Sequence, residues 1–368
     1  MELSVVIPCL NESETLQICI NKIRHQLKEN NIIGEIIVAD NGSTDSSIDI
    51  AKKNNVRIVN VKLKGYGNAV REGIKNATGK YVLIADADNS YDFNDLKKFY
   101  DKITLGFDIV QGCRLPSGGG KIKKNAMPIT HRLIGNPFFS LLSKLLFKLK
   151  INDVYCGMKI IKKDSYDKMF FYSTGMVFCL EILIKFKQFK FNMTEIPITL
   201  HKDGRITGKS HLKTISDGLR TLKFLLIFSP KWIFFVPGVS LLLMGLSKII
   251  FEITSNYFTI VPIKFNTPLI LLFLGMQIIM LGFYSSIRAE TLGFKKNKFL
   301  KKFFNFFSLK KSIFLSISGF AFSGFFLVKY LLDNDENIQL ITTNLLIFVF
   351  FVNLFFNSLF VSLLKENN

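Results

Sequence analysis

Two carboxylates one residue apart, Asp86 and Asp88, close the apolar run Tyr81-Val82-Leu83-Ile84-Ala85. A buried run this short, bounded by polar residues, reads as a strand of a parallel sheet. In open α/β sheets, ligands bind beyond the carboxyl ends of the strands. Alternate acids emerging there can hold one divalent cation, Mg2+ or Mn2+, whose hard charge suits phosphate oxygens. A solvated, Asp-rich turn is the other reading of the pair.

The elements that must carry this pair alternate. Leu3 to Pro8 reads as a central strand, followed by Asn11 and a polar helix start at Ser13-Glu14. Leu16, Ile20, Ile23 and Leu27 then recur at helical spacing. Glu35 to Ala39 is a second strand, closed by Asp40-Asn41-Gly42-Ser43-Thr44-Asp45, in which Asp40 and Asp45 can cap the turn. Val56 to Val61 is a third, and Lys64-Gly65-Tyr66-Gly67-Asn68 opens another helix. Strands alternating with short helices predict βα units and a mostly parallel sheet. Gly65-Tyr66-Gly67 is a poor dinucleotide fingerprint, because Val70 takes the third glycine's place.

Further along, Phe93 to Ile103 reads as helix and Ile109 to Cys113 as strand. Leu115 to Asn125, with three successive glycines, reads as a mobile loop. Pro128 to Lys150 is a helix rich in Leu and Phe with His131, Arg132, Lys144, Lys148 and Lys150. It is either a helix lying on a membrane surface or a core helix with a solvated basic face. Phe178 to Phe189 is helical and carries Glu181, and Glu195 to Ile198, containing Pro197, reads as an edge strand. His131, His201 and His211 read as surface residues. Leu212 to Phe228 is an amphipathic helix leading toward a bilayer.

Most of the 38 Phe follow position 220. Four apolar stretches there, about 232–250, 268–287, 313–332 and 340–364, approach the ~20 residues that span a bilayer. The loop between the second and third carries many Lys, and the loop before the fourth is acidic. Positive loops stay inside, so both termini are expected in the cytoplasm. No signal peptide precedes the first strand, which agrees. The net charge of +20 then faces anionic lipid rather than nucleic acid. The five scattered Cys read as reduced core thiols. Asn344, Asn353 and Asn357 are expected to hydrogen-bond between helices. The expected layout is a catalytic domain over 1–211, a juxtamembrane helix over 212–230 and a membrane domain over 231–368.

Several motifs stand in a telling order. They are Val6-Ile7-Pro8 with Asn11-Glu12, Ala39-Asp40-Asn41-Gly42-Ser43-Thr44-Asp45, Gly65-Tyr66-Gly67-Asn68-Ala69 and Asp86-Ala87-Asp88. Gly112-Cys113-Arg114, Asp153 with Cys156-Gly157-Met158-Lys159, and Arg205 with Gly208 and Ser210 follow. The set resembles family 2 glycosyltransferases of GT-A fold. Within them it resembles the polyprenyl-phosphate group of dolichyl-phosphate mannose and glucose synthases, over roughly 1–238. The resemblance implies a Rossmann-like GT-A domain with a four-helix membrane domain behind it. It implies inverting transfer of one sugar from a UDP- or GDP-sugar to polyprenyl phosphate. Pro8, Asn11, Glu12, Asp40, Gly67, Asp86 and Asp153 would line the nucleotide-sugar site. Asp86 and Asp88 would hold the metal. Asp88, Arg114 and Arg205 would serve the reaction, and Arg132, Lys159 and Ser210 would meet the acceptor phosphate. A homo-oligomer is compatible with this reading.

Four residues depart from the family pattern. Lys159 stands where Arg is usual, Val177 where an acid is expected, and Asn89-Ser90 replace the usual residues after the metal acids. Processive polysaccharide synthases resemble one another in a Q-x-x-R-W motif, and the single Trp here, Trp232, follows Lys231. A non-catalytic membrane scaffold and a lipid flippase are the remaining alternatives.

Overall fold

The computed structural model describes residues 1–206, 214–256, 266–294, 309–332 and 338–366. Ser210, expected at the acceptor phosphate, lies outside the described residues. The chain divides into two compact units, Met1–Leu225 and Leu226–Asn368.

The first unit is built on a seven-stranded sheet. Its strands are β1 (Leu3–Cys9), β2 (Gly34–Asp40), β3 (Arg57–Asn60), β4 (Tyr81–Ile84), β5 (Ile109–Cys113), β7 (Lys159–Lys162) and β8 (Met193–Pro197), in the order β3-β2-β1-β4-β7-β5-β8. All pair in parallel except β7, which runs antiparallel to both β4 and β5. This reversal was not legible in the sequence, and it matters for the site. An antiparallel strand begins where its neighbours end, so the loop before Lys159 arrives beside the end of β4, where Ile84 pairs with Lys159.

Helix α1 (Leu16–Glu29) buries Leu16, Cys19, Ile20, Ile23 and Leu27 on one face of the sheet, the spacing of an amphipathic helix. Helix α3 (Tyr66–Asn76) packs with Gly73 directly over the sheet, where an added Cβ would come within 2.3 Å of Val6 Cγ1. The register aligns Cys9 with Asp40, and the Ala85 amide donates to Val6 O at 3.2 Å. The ends of β1, β2 and β4 thus open together.

Pro197 lies in β8, the edge strand that its lack of an N–H favours. The segment expected as a loop over Leu115–Asn125 instead holds a short strand β6 (Lys121–Ile122), paired with β9 (Thr199–Leu200). Beyond it, a π-helical turn (His131–Gly135) runs into helix α5 (Asn136–Phe147). This helix is not a core helix. It buries Ser140 and Ser143 and exposes Phe138, Leu141 and Leu145, and the turn before it exposes Leu133 and Ile134.

The second unit is helical: Val236–Asn256, Asn266–Thr291, Leu309–Leu332 and Ile338–Glu366. Among the described residues, three stretches are long and apolar enough to cross a membrane: Lys231–Phe251, Thr267–Thr291 and Ile341–Phe360. The apolar part of the remaining helix, Ile313–Lys329, is shorter. Asn353 accepts from Gln277 and Asn357 accepts from Tyr284, both across to the helix Asn266–Thr291, as expected for amides in apolar surroundings.

Candidate active site

The acidic pair emerges where β4 leaves the sheet. Asp88 is fixed by its neighbour: its Oδ1 accepts from the Ser90 amide at 3.0 Å and the Ser90 hydroxyl at 2.6 Å. Asn89 between them takes the left-handed conformation, φ 57°, which Asn tolerates. The unusual Asn89-Ser90 therefore shapes the turn that aims Asp88.

Asp86 is different. Its Oδ1 is buried and has no hydrogen-bond partner among the described residues. Burial, and then the charge of Asp88, push its pKa up to about 7, against the Tyr66 hydroxyl and the charges of Lys159 and Arg114. A buried carboxylate oxygen without a partner is costly. A proton or a cation relieves that cost. Among the described residues no cluster of three or more His, Cys, Asp or Glu could hold a metal. The pair could hold a cation that also meets phosphate oxygens.

Two residues outside the expected set confine Asp86. A Cβ on Gly157 would lie 2.5 Å from Asp86 Oδ2 and 3.0 Å from Tyr91 Oη. The Gly157 amide donates to Tyr91 Oη at 2.8 Å. Burial, the largest influence, raises the pKa of Tyr91 and of Tyr66 well above the ordinary phenol value, so both stay protonated. Gly157 was visible in the sequence as part of Cys156-Gly157-Met158-Lys159; what it stands against was not.

The expected nucleoside-side residues come together, with much of their hydrogen bonding spent on each other's loops. Asp40 accepts from the amides of Gly42 (2.9 Å) and Ser43 (3.2 Å). Asn11, also left-handed at φ 57°, accepts from the Thr44 amide at 2.8 Å. The Asn11 amide donates to Ser43 Oγ, the Glu12 amide to Ser47 Oγ and the Ser13 amide to Asp45 Oδ2. Pro8 pairs in register with Ala39. Gly67 admits another segment rather than a ligand: a Cβ there would lie 2.5 Å from Ser173 O.

The basic residues separate into distinct settings. Arg114, expected at a phosphate, is buried and gripped by Asp153 through Nε (2.7 Å) and Nη2 (2.9 Å). Asp153, expected at the sugar, is thereby the counter-ion of Arg114, and it also accepts from the Arg114 amide. Lys159, expected at the acceptor phosphate, is buried in β7 and donates to Cys156 O at 2.7 Å. Its position in the sheet makes it a fixed positive charge behind Asp86. Arg205 does face the pair. It binds Glu12 at two points, each 2.7 Å, and reaches within 3.8 Å of Asp88 Oδ2 and 3.1 Å of Asp203 Oδ2. Arg132 is exposed on the turn before α5, and no hydrogen bond or ion pair among the described residues ties it to the acidic pair.

Over residues 4–170 the chain matches the family described as glycosyl transferase family 2. It is 30% identical over 165 residues to the dolichyl-phosphate hexose transferase of Haloferax volcanii, covering 45% of this chain and 68% of that one. The chain belongs to glycosyltransferase family 2. A second Haloferax volcanii protein, the low-salt glycan biosynthesis hexosyltransferase Agl6, is 28% identical over 330 residues, 88% of this chain and 78% of its own. A mycobacterial protein of known crystal structure shares the fold, with TM-score 0.50 at 18% identity over 61% of this chain and 74% of that one.

This glycosyltransferase thus has a GT-A fold followed in sequence by a helical C-terminal region. Its acidic pair lies beyond the carboxyl end of the central strand β4, with Arg205 facing Asp88. Two acids, one of them with an unpartnered oxygen, could hold a divalent cation, and that cation together with the Arg205 guanidinium would neutralise a pyrophosphate-like group.

Proposed function

We propose that this glycosyltransferase moves a single sugar from a nucleotide-sugar, UDP- or GDP-linked, to polyprenyl phosphate. The unpartnered Asp86 oxygen beside Asp88 carries the reading: the pair would hold Mg2+ or Mn2+, whose charge would suit the donor's diphosphate. A relative named for dolichyl-phosphate hexose transfer supports the acceptor.

The acceptor phosphate has a second pKa of about 6 and is an anion at pH 7. It needs no protein base to attack C1 of the sugar. Its oxygen forms the new C1–O bond as the bond from C1 to the nucleoside diphosphate breaks, with inversion. A cation held by Asp86 and Asp88 would supply positive charge for the departing diphosphate. Asp86 and Asp88 orient that charge. Arg205, anchored by Glu12, keeps a second positive group beside Asp88.

The acceptor is held in a membrane. Leu133, Ile134, Phe138, Leu141 and Leu145 are exposed, bordered by exposed Arg132, Lys148 and Lys150. Such an apolar face with a basic rim suits anionic lipid. The catalytic region is placed at 1–211, the juxtamembrane helix at 212–230 and the membrane region at 231–368. Four spans and cytoplasmic termini complete this reading.

Purified protein incubated with labelled UDP- and GDP-sugars, Mn2+ and undecaprenyl phosphate should give a lipid-linked monosaccharide. Equal product from wild type and Asp88→Ala would sink the metal assignment.

A further inference from the structure

Helix α7 (Phe178–Gln188) buries an ion pair that the reaction above does not use. Glu181 and Lys185 are both fully buried and meet at 2.9 Å. Taking two charges out of water is costly, and well-packed apolar residues of similar volume often serve stability as well or better. Both members of the pair make polar contacts with one segment. Glu181 accepts from the amides of Tyr172 (3.2 Å) and Ser173 (2.9 Å). Lys185 Nζ donates to Phe170 O and lies within 5.2 Å of the Phe171 ring centre. Phe170 to Thr174 belongs to no helix or strand. The ion pair gives this strap hydrogen bonds that a sheet or helix would otherwise supply.

The strap in turn bears on the turn that opens α3. A Cβ on Gly65 would come within 2.3 Å of Thr174 O, and one on Gly67 within 2.5 Å of Ser173 O. The Asn68 amide donates to Thr174 O at 3.3 Å. Between the two glycines stands Tyr66, whose hydroxyl lies close enough to Asp86 to favour its ionised form. The same turn reaches the Asp40 loop, since the Gly65 amide donates to Asn41 Oδ1 at 2.6 Å. Only glycine allows so close an approach on both sides of Tyr66.

We infer that Glu181 and Lys185 are positioning residues: through the 170–174 strap and the Gly65–Gly67 turn they set Tyr66 against Asp86, and so the geometry of the cation site. The inference rests on the proposed role of Asp86. Charge is retained in the core because it fixes a backbone segment in one place, which apolar packing does less specifically.

The full-length protein in detergent tests this with the double substitution Glu181→Leu/Lys185→Met, which removes both charges together and roughly keeps volume. The expected protein melts no lower than wild type, yet exchanges its amides at 66–68 and 172–174 at least about tenfold faster. Calorimetric titration with MnCl2 in the presence of UDP or GDP should show Mn2+ binding weakened about 10–100-fold, as for other residues that orient a metal ligand. Unchanged exchange at 66–68 together with unchanged Mn2+ affinity overturns the inference. Tyr66→Phe removes only the hydroxyl and decides the matter if the double variant does not fold. It should weaken Mn2+ binding without speeding exchange at 172–174, and wild-type affinity in it overturns the inference. A wild type that binds no Mn2+ with either nucleotide condemns the functional reading instead. The strap is then judged by exchange at 66–68 alone.

Discussion

Gly157 and Asp86 occupy one space: a methyl group on the glycine would fall 2.5 Å from the Asp86 carboxylate oxygen Oδ2. The carboxylate stands where it does because residue 157 has no side chain. Gly157→Ala should move Asp86 while leaving the sheet intact. Overpacking of this kind costs about 1–3 kcal/mol. Transfer at saturating donor should fall about 10–100-fold, with a higher Mn2+ requirement, as when a metal ligand loses its support. Initial rates against Mn2+ concentration, beside a melting curve, check both parts.

Asp86 also gives the metal-free protein a pH dependence. Its folded pKa is pushed up to about 7 from 3.8. The folded chain therefore holds the proton more tightly than the unfolded chain. That contribution to stability is full below about pH 4 and is lost as pH rises to about 7. In EDTA, wild type should lose thermal stability relative to Asp86→Asn over this window. Mn2+ should restore wild type and leave the variant unmoved. Parallel pH profiles of the two proteins in EDTA would contradict the assignment.

Arg114 and Asp153 form a closed buried pair. Arg114→Ala leaves the Asp153 carboxylate buried without its counter-ion, keeping only the residue 114 amide, at a cost of about 3–5 kcal/mol. Arg114→Met with Asp153→Leu removes both charges and should recover most of that loss. Urea midpoints of the three proteins measure this. An Arg114→Ala midpoint equal to that of the double variant would show that the pair is not coupled.

The outward face of α5 separates lipid contact from chemistry. Leu141→Gln with Leu145→Gln changes exposed residues, so stability should move by no more than about 0.5 kcal/mol. Transfer to a long polyprenyl phosphate in vesicles should drop several-fold, while transfer to a short, water-soluble prenyl phosphate should hold. Equal loss on both acceptors would place these leucines in the fold rather than at the bilayer.

The sequence by itself determined the alternation of strands and helices through Cys113, because apolar periodicity and turn residues are local properties. It also marked Asp86 and Asp88, through their spacing at a strand end, and the edge strand at Pro197. It set the family through the order of its motifs. It did not show that β7 runs backwards, which brings Gly157 to Asp86. Strand direction depends on which distant segments pair, and no local pattern carries that. Arg114, Lys159 and Arg205 look alike in sequence as candidate phosphate contacts. Only the tertiary structure decided that Asp153 closes on the first, the sheet buries the second, and Glu12 holds the third beside Asp88. A cation's role is set by the anions and the water around it, and these are brought together by folding.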